Sequence, residues 1–144
     1  MNRVYQDRFG GQDAPAEQRG NCFQASLATV LQMPLEEAFD CTDIKYDGED
    51  GLWFRDLNKW LEQYRLGCIF LETSKEKPAF VSEILGIHIA ECMSKTLYHG
   101  ERHAVVMQDG NLLHDPNPNA KEQGEMQGIY IFVPLEAYRL VRII

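Results

Sequence analysis

His103-Ala104-Val105-Val106-Met107-Gln108-Asp109-Gly110-Asn111-Leu112-Leu113-His114-Asp115-Pro116 reads as a β-hairpin: an apolar strand, an Asp-Gly turn, and a returning strand closed by a proline. The turn length fixes which side chains meet. With a two-residue loop at Asp109-Gly110, Gln108 faces Asn111, His103 faces Pro116, and Asp115 points to the opposite face from His103. With a three-residue loop carrying Gly110 in a bulge, Met107 faces Asn111 and His103 lies directly opposite Asp115. Opposed side chains have Cβ atoms about 5 Å apart, close enough for a carboxylate to hold an imidazole. Both turns suit the sequence; only the second builds a His–Asp pair, and a catalytic reading requires it. A plain hairpin with a polar end is the alternative.

Further strands are expected at 68–72, 87–93 and 128–134, with a helical turn around 80–85. Two helices precede them. Asn21 is a good N-cap for a helix running from about Cys22 to Met33, with Phe23, Leu27, Val30 and Leu31 on its buried face. Pro34 stops it, and residues 35–39 restart a short one. Trp53, Leu57, Trp60, Leu61 and Tyr64 form one stripe of a second helix from about Leu52 to Tyr64, read as core, with Gly67 placed to end it. Residues 1–20, with Gly10-Gly11, Pro15 and Gly20, read as an extended arm. Helices followed by an antiparallel meander make an α+β fold. The 144 residues suit a single domain spanning 1–144.

Composition narrows the function. Fourteen basic against 22 acidic side chains give −8 at pH 7, a poor balance for binding a phosphate backbone, so no nucleic-acid partner is expected. Hydrophobic residues make up 44% and charged residues 25%, a globular mixture that excludes disorder as the main state. No apolar run approaches the ~20 residues of a membrane helix, and the start, Met1 to Arg8, has no apolar signal-peptide core. The expected setting is cytoplasmic, with no membrane partner. Cys22, Cys41, Cys68 and Cys92 include no C-x-x-C pair, so four free thiols are expected there.

Cys22 differs from the other three because it opens a helix. The unpaired N–H groups at a helix N-terminus favour negative charge, and a thiolate is the nucleophilic form of cysteine. The plain alternative is a small residue at a helix start. Together, a cysteine at a helix start, a histidine starting an apolar strand and Asp-Pro closing the next one form a thiol-catalysis pattern in chain order.

Gly20-Asn21-Cys22-Phe23-Gln24-Ala25-Ser26-Leu27-Ala28, His103 to Gly110, and Leu113-His114-Asp115-Pro116 resemble the papain-like cysteine peptidase superfamily, in particular its compact bacteriocin-leader-processing branch. The resemblance spans residues 18 to 134. It implies a papain-like fold without a cofactor, with Cys22 as nucleophile, His103 as general base and then acid, and Asp115 fixing the His103 tautomer. The implied reaction cleaves a peptide, isopeptide or related amide bond of a peptide or protein substrate through a thioester. The oxyanion would meet the Cys22 N–H and an upstream glutamine, which the family places about six residues before the cysteine. Gln18, four before, is the nearest candidate; Gln12 is ten before. Asn21 stands where that branch commonly has Asp, and Phe23-Gln24 replace its small residues. Two other readings stay open: an inactive module of the same fold that binds a protein partner or small ligand, for example in bacterium–virus conflict, and a transamidase or acyltransferase.

Other signals are weaker. His99 and His103 have a helical metal-ligand spacing, but Gly100 and the extended pattern oppose a helix, and no metal is expected. His88 reads as a strand residue with one polar side, and His114 as a solvent-facing one. Loop 40–50 holds five acids against Lys45, and its field would favour a basic substrate; a solvated loop is the alternative.

Overall fold

A computed structural model describes residues 1–48, 51–73, 86–94 and 102–141. The expected turn at 80–85 and His99 lie outside them. The chain is a mixed α+β fold built on a five-stranded sheet. Its strands are β1 (Leu66–Glu72), β2 (Ile87–Met93), β3 (Arg102–Gln108), β4 (Asn111–His114) and β5 (Met126–Pro134). They lie side by side in the order β1-β5-β2-β3-β4, every pair antiparallel.

Helices α1 (Cys22–Leu31) and α2 (Leu52–Leu61) pack on one face of this sheet. Phe23 and Leu27 from α1, and Leu57 and Leu61 from α2, meet Cys68, Ile89, Ala104 and Tyr130 from the strands. Trp53 and Trp60 pack against that cluster, so the aromatic stripe of α2 is core as expected, while Tyr64 is left 41% exposed. By strand alternation Ala90, Cys92, Val105, Met107 and Ile129 form a second buried cluster on the other face.

Several boundaries differ from expectation for local reasons. Helix α1 ends at Leu31, because Gln32 turns left-handed (φ 55°) and Met33, preceding Pro34, is kept out of helical geometry. Residues 35–37 make only a 3-10 turn. The end of the α2 segment is set by Arg65, left-handed at φ 57°, and not by Gly67. Gly67 sits inside β1, where a Cβ would lie 2.2 Å from the ring of Tyr138. Tyr138 belongs to a third helix, α3 (Leu135–Val141), which the sequence reading lacked.

The hairpin resolves differently from either simple register. Asp109 (φ 51°) and Gly110 (φ 83°) form a two-residue turn, and Gln108 faces Asn111, so the expected three-residue loop is overturned. Between the pairs Met107–Leu112 and Val106–His114, however, Leu113 is an extra residue. This bulge shifts the register by one and turns Asp115 back to the face of His103. It turns His114 the other way. His114 is buried (4% exposed), not solvent-facing: Nε2 lies 2.7 Å from the Val4 carbonyl, and its ring meets the edge of Tyr5. His88 is likewise buried, at 1% exposed.

Candidate active site

Cys22 is the first residue of α1, and Asn21 occupies its N-cap position. The expected side-chain cap is absent, because the Asn21 side chain is spent on the arm. Its Oδ1 accepts the N–H groups of Asp7 (3.2 Å) and Arg8 (3.0 Å), and its Nδ2 donates to Asp7 Oδ1 and Gln24 Oε1. The amide N–H groups at the start of the helix thus receive nothing from this side chain, and the positive end of the helix stays beside the sulfur.

The arm is held by a second hub. Arg8 donates to the Ala16 carbonyl, Thr42 Oγ1, Gln24 Oε1 and Asp40 Oδ2. Farther along, Gly10 N–H donates to the Gln18 carbonyl and Gly20 N–H to the Gly10 carbonyl, each at 2.8 Å. The arm, α1 and the end of the sheet then enclose a cleft of about 700 Å³ with Cys22 in its lining.

On the sheet side, β4 ends level with Val106, so Ala104 lies beyond its last pair. The Ala104 N–H donates to Cys22 Sγ at 3.4 Å. This contact docks the helix start against β3 one residue from His103. The imidazole of His103 neighbours the Cys22 side chain, an interaction that favours its charged form. On its other side, Nε2 meets Asp115 Oδ1 at 2.7 Å. With Nε2 engaged there, Nδ1 is the nitrogen left for the sulfur. Cys22, His103 and Asp115 therefore come together in the expected order.

The carboxylate is itself fixed. Oδ1 of Asp115 also accepts the Asn117 N–H (2.9 Å), and Oδ2 accepts Gln123 Nε2 (2.9 Å). Sequence reasoning missed both partners: Gln123 lies in an aperiodic stretch, and Asn117 only carries a turn preference. Burial opposes the charged form of His103, but its interactions with Asp115 and Cys22 and their charges outweigh this and raise its pKa to about 10. Burial likewise works against the Asp115 carboxylate, yet His103, Gln123 and the Asn117 N–H hold its pKa below the ordinary 3.8. Burial pushes Cys41 and Cys92 up to about 12 and raises Cys68 as well, so these three stay thiols at neutral pH.

Gln18 does not join the site. It ends the exposed 3-10 turn Ala16–Gln18, its carbonyl is taken by Gly10, and it is absent from the cleft lining. Gln6 and Gln12 line the cleft instead. Gln6 is 8% exposed; its Nε2 donates to the Arg8 carbonyl, and its buried Oε1 has no hydrogen-bond partner among the described residues. Also in the lining are Phe23, Trp53, Tyr130, Glu91 and Arg102. Among the described residues no three His, Cys, Asp or Glu side chains converge as a metal site, and no helix is long and apolar enough to cross a membrane. No protein-family model matches the chain, and neither a curated protein nor a solved structure matches it.

Proposed function

We propose that the chain is a papain-like thiol hydrolase that cleaves a peptide, isopeptide or related amide bond. The observation that carries this reading is the convergence of a helix-start cysteine, a strand-start histidine and a carboxylate in one cleft. In the proposed cycle the Cys22 thiol proton is already held on His103 Nδ1, in the imidazolium that its raised pKa favours, and the sulfur attacks the substrate carbonyl carbon. The developing oxyanion is met by the Cys22 N–H, one of the unfilled donors at the helix start. Collapse of the tetrahedral intermediate breaks the C–N bond. The His103 imidazolium protonates the leaving amine and leaves an acyl thioester on Sγ. Water, deprotonated by His103, then releases the acid and restores the thiol. Asp115 keeps Nε2 protonated and steadies the imidazolium.

A cytoplasmic setting fits four free cysteines, since a reducing compartment keeps them so. One observation favours a second reading, a binding module without turnover: Gln18 lies off the cleft, and the upstream oxyanion donor implied by the resemblance is missing at that position. Limiting iodoacetamide near pH 6, with the modified thiol mapped by mass, separates the two. Preferential alkylation of Cys22, together with amide hydrolysis that disappears in Cys22→Ala while the fold remains, is the expected result. Even or absent labelling, or hydrolysis unchanged in Cys22→Ala, overturns the hydrolase. Product analysis with added amines distinguishes hydrolysis from acyl transfer.

A further inference from the structure

Glu91 has no role in the proposed thiol chemistry, yet it is a carboxylate 8% exposed in the wall of the same cleft. It pairs across the strands with Ala104, the residue whose N–H meets Cys22 Sγ. Its two oxygens differ in their partners. Oε2 accepts the Tyr130 hydroxyl at 2.9 Å in a buried bond. Oε1 accepts Nη1 of Arg102 at 2.7 Å, from a side chain that is 60% exposed. The first bond anchors the carboxylate; the second holds a long, solvated side chain whose pairing is cheap to exchange.

Three rings share the cleft with this carboxylate. Phe23, Trp53 and Tyr130 contact one another, with centroids 5.0 to 6.1 Å apart, and all three line the cleft. Such a surface suits the methylene stem of a basic side chain, and aromatic rings also attract its charged head. Arg102 shows that a guanidinium fits against Oε1, since its own already sits there. Asp47 in the lining is ion-paired with Arg19, so the field that draws cations comes from Asp13 and from the net charge of −8.

We propose that Glu91 is the specificity residue of this cleft, receiving an arginine or lysine side chain of the substrate beside Cys22, with Arg102 as the internal occupant that the substrate displaces. This rests on the reading of the cleft as a substrate site, but its test does not need turnover. In the Cys22→Ala chain, Nα-acetyl-arginine N-methylamide and its norleucine counterpart are titrated by NMR. The arginine compound binds at least fivefold more tightly. Glu91→Gln, which keeps an acceptor for Tyr130, erases that difference. Arg102→Ala, by removing the competitor, strengthens arginine binding. Equal affinity for the two compounds overturns the proposal, as does a preference that survives Glu91→Gln or weaker arginine binding in Arg102→Ala. An unreactive Cys22 would sink the hydrolase and leave these binding results standing; the converse outcome would remove only the basic specificity.

Discussion

His103 Nε2 and Asp115 Oδ1 lie 2.7 Å apart across a hairpin whose two-residue turn would, by itself, put these side chains on opposite faces. The extra residue at Leu113 reconciles the two facts. Because strand side chains alternate, one inserted residue reverses every side chain beyond it.

Deleting Leu113 therefore moves Asp115 off the His103 face while leaving the Asp109-Gly110 turn intact. In an NMR titration the His103 imidazole, raised to about 10 in the intact chain, should fall toward its ordinary 6.5. Leu113→Ala keeps the residue count and should retain most of the shift. A deletion variant with an unchanged titration would show that the bulge does not place the carboxylate.

Removing the carboxylate tests its effect on the thiol. Asp115→Ala deprives the imidazolium of its hydrogen-bonded anion, and the Cys22–His103 proton transfer becomes less favourable. Each pKa unit lost by such a pair is tenfold in the ionised fraction. The second-order rate of Cys22 alkylation at pH 6 should drop about tenfold or more in Asp115→Ala. Asp115→Asn, which still accepts the Nε2 proton, should fall between this variant and the native chain. Rates equal within a factor of two would reduce the pair to scaffolding.

The same pair sets a pH dependence of stability. His103 binds its proton more tightly in the folded chain, so its contribution is complete below 6.5 and is lost as pH rises through about 10. Asp115 runs the other way: its folded pKa is depressed, so its contribution is present above 3.8 and is lost as pH falls through the lower folded value. Both are complete only in the acidic range between 3.8 and 6.5. Urea unfolding of the native chain and His103→Gln should differ most at about pH 5.5, and the difference should shrink toward about pH 10. A difference that grows with pH would contradict the charged pair.

The legible features of this molecule are the ones written over neighbouring residues. The α2 stripe, the start of α1 at Cys22, and all five strands follow from periods of 3.6 and 2 in short windows. The bulge left one local trace, Leu112-Leu113, a break in alternation that a short strand cannot distinguish from a ragged end. Gly67 looked like a helix terminator because glycine often is one. Its actual constraint is the ring of Tyr138, 71 residues away. Only its distance along the chain from Cys22 makes Gln18 a candidate. The Gly10–Gln18 and Gly10–Gly20 hydrogen bonds, which fold the arm back on itself, decide what faces the sulfur.

Asn21 shows the same long reach and gives the last test. A capping role would make Asn21→Ala cost about 1 kcal/mol. The observed side chain is 2% exposed and joins Asp7, Arg8 and Gln24, so its loss removes four hydrogen bonds at once, one buried and three part-buried. Each such bond is worth about 0.5–1.5 kcal/mol net, which puts the expected destabilisation above that of a lone cap, at about 2–4 kcal/mol. Asn21→Asp keeps the oxygen that accepts from Asp7 and Arg8, loses the donor to Asp7 Oδ1, and sets two carboxylates against each other, so it should recover only part of the loss. Hydrogen exchange supplies the second readout: the amides of Gln6 and Gly10, bonded to Pro116 and Gln18, should lose protection together as the arm detaches. A cost near 1 kcal/mol with the arm amides still protected would make Asn21 an ordinary cap and leave the arm held by Arg8 and by its bonds to Thr29, His114 and Pro116.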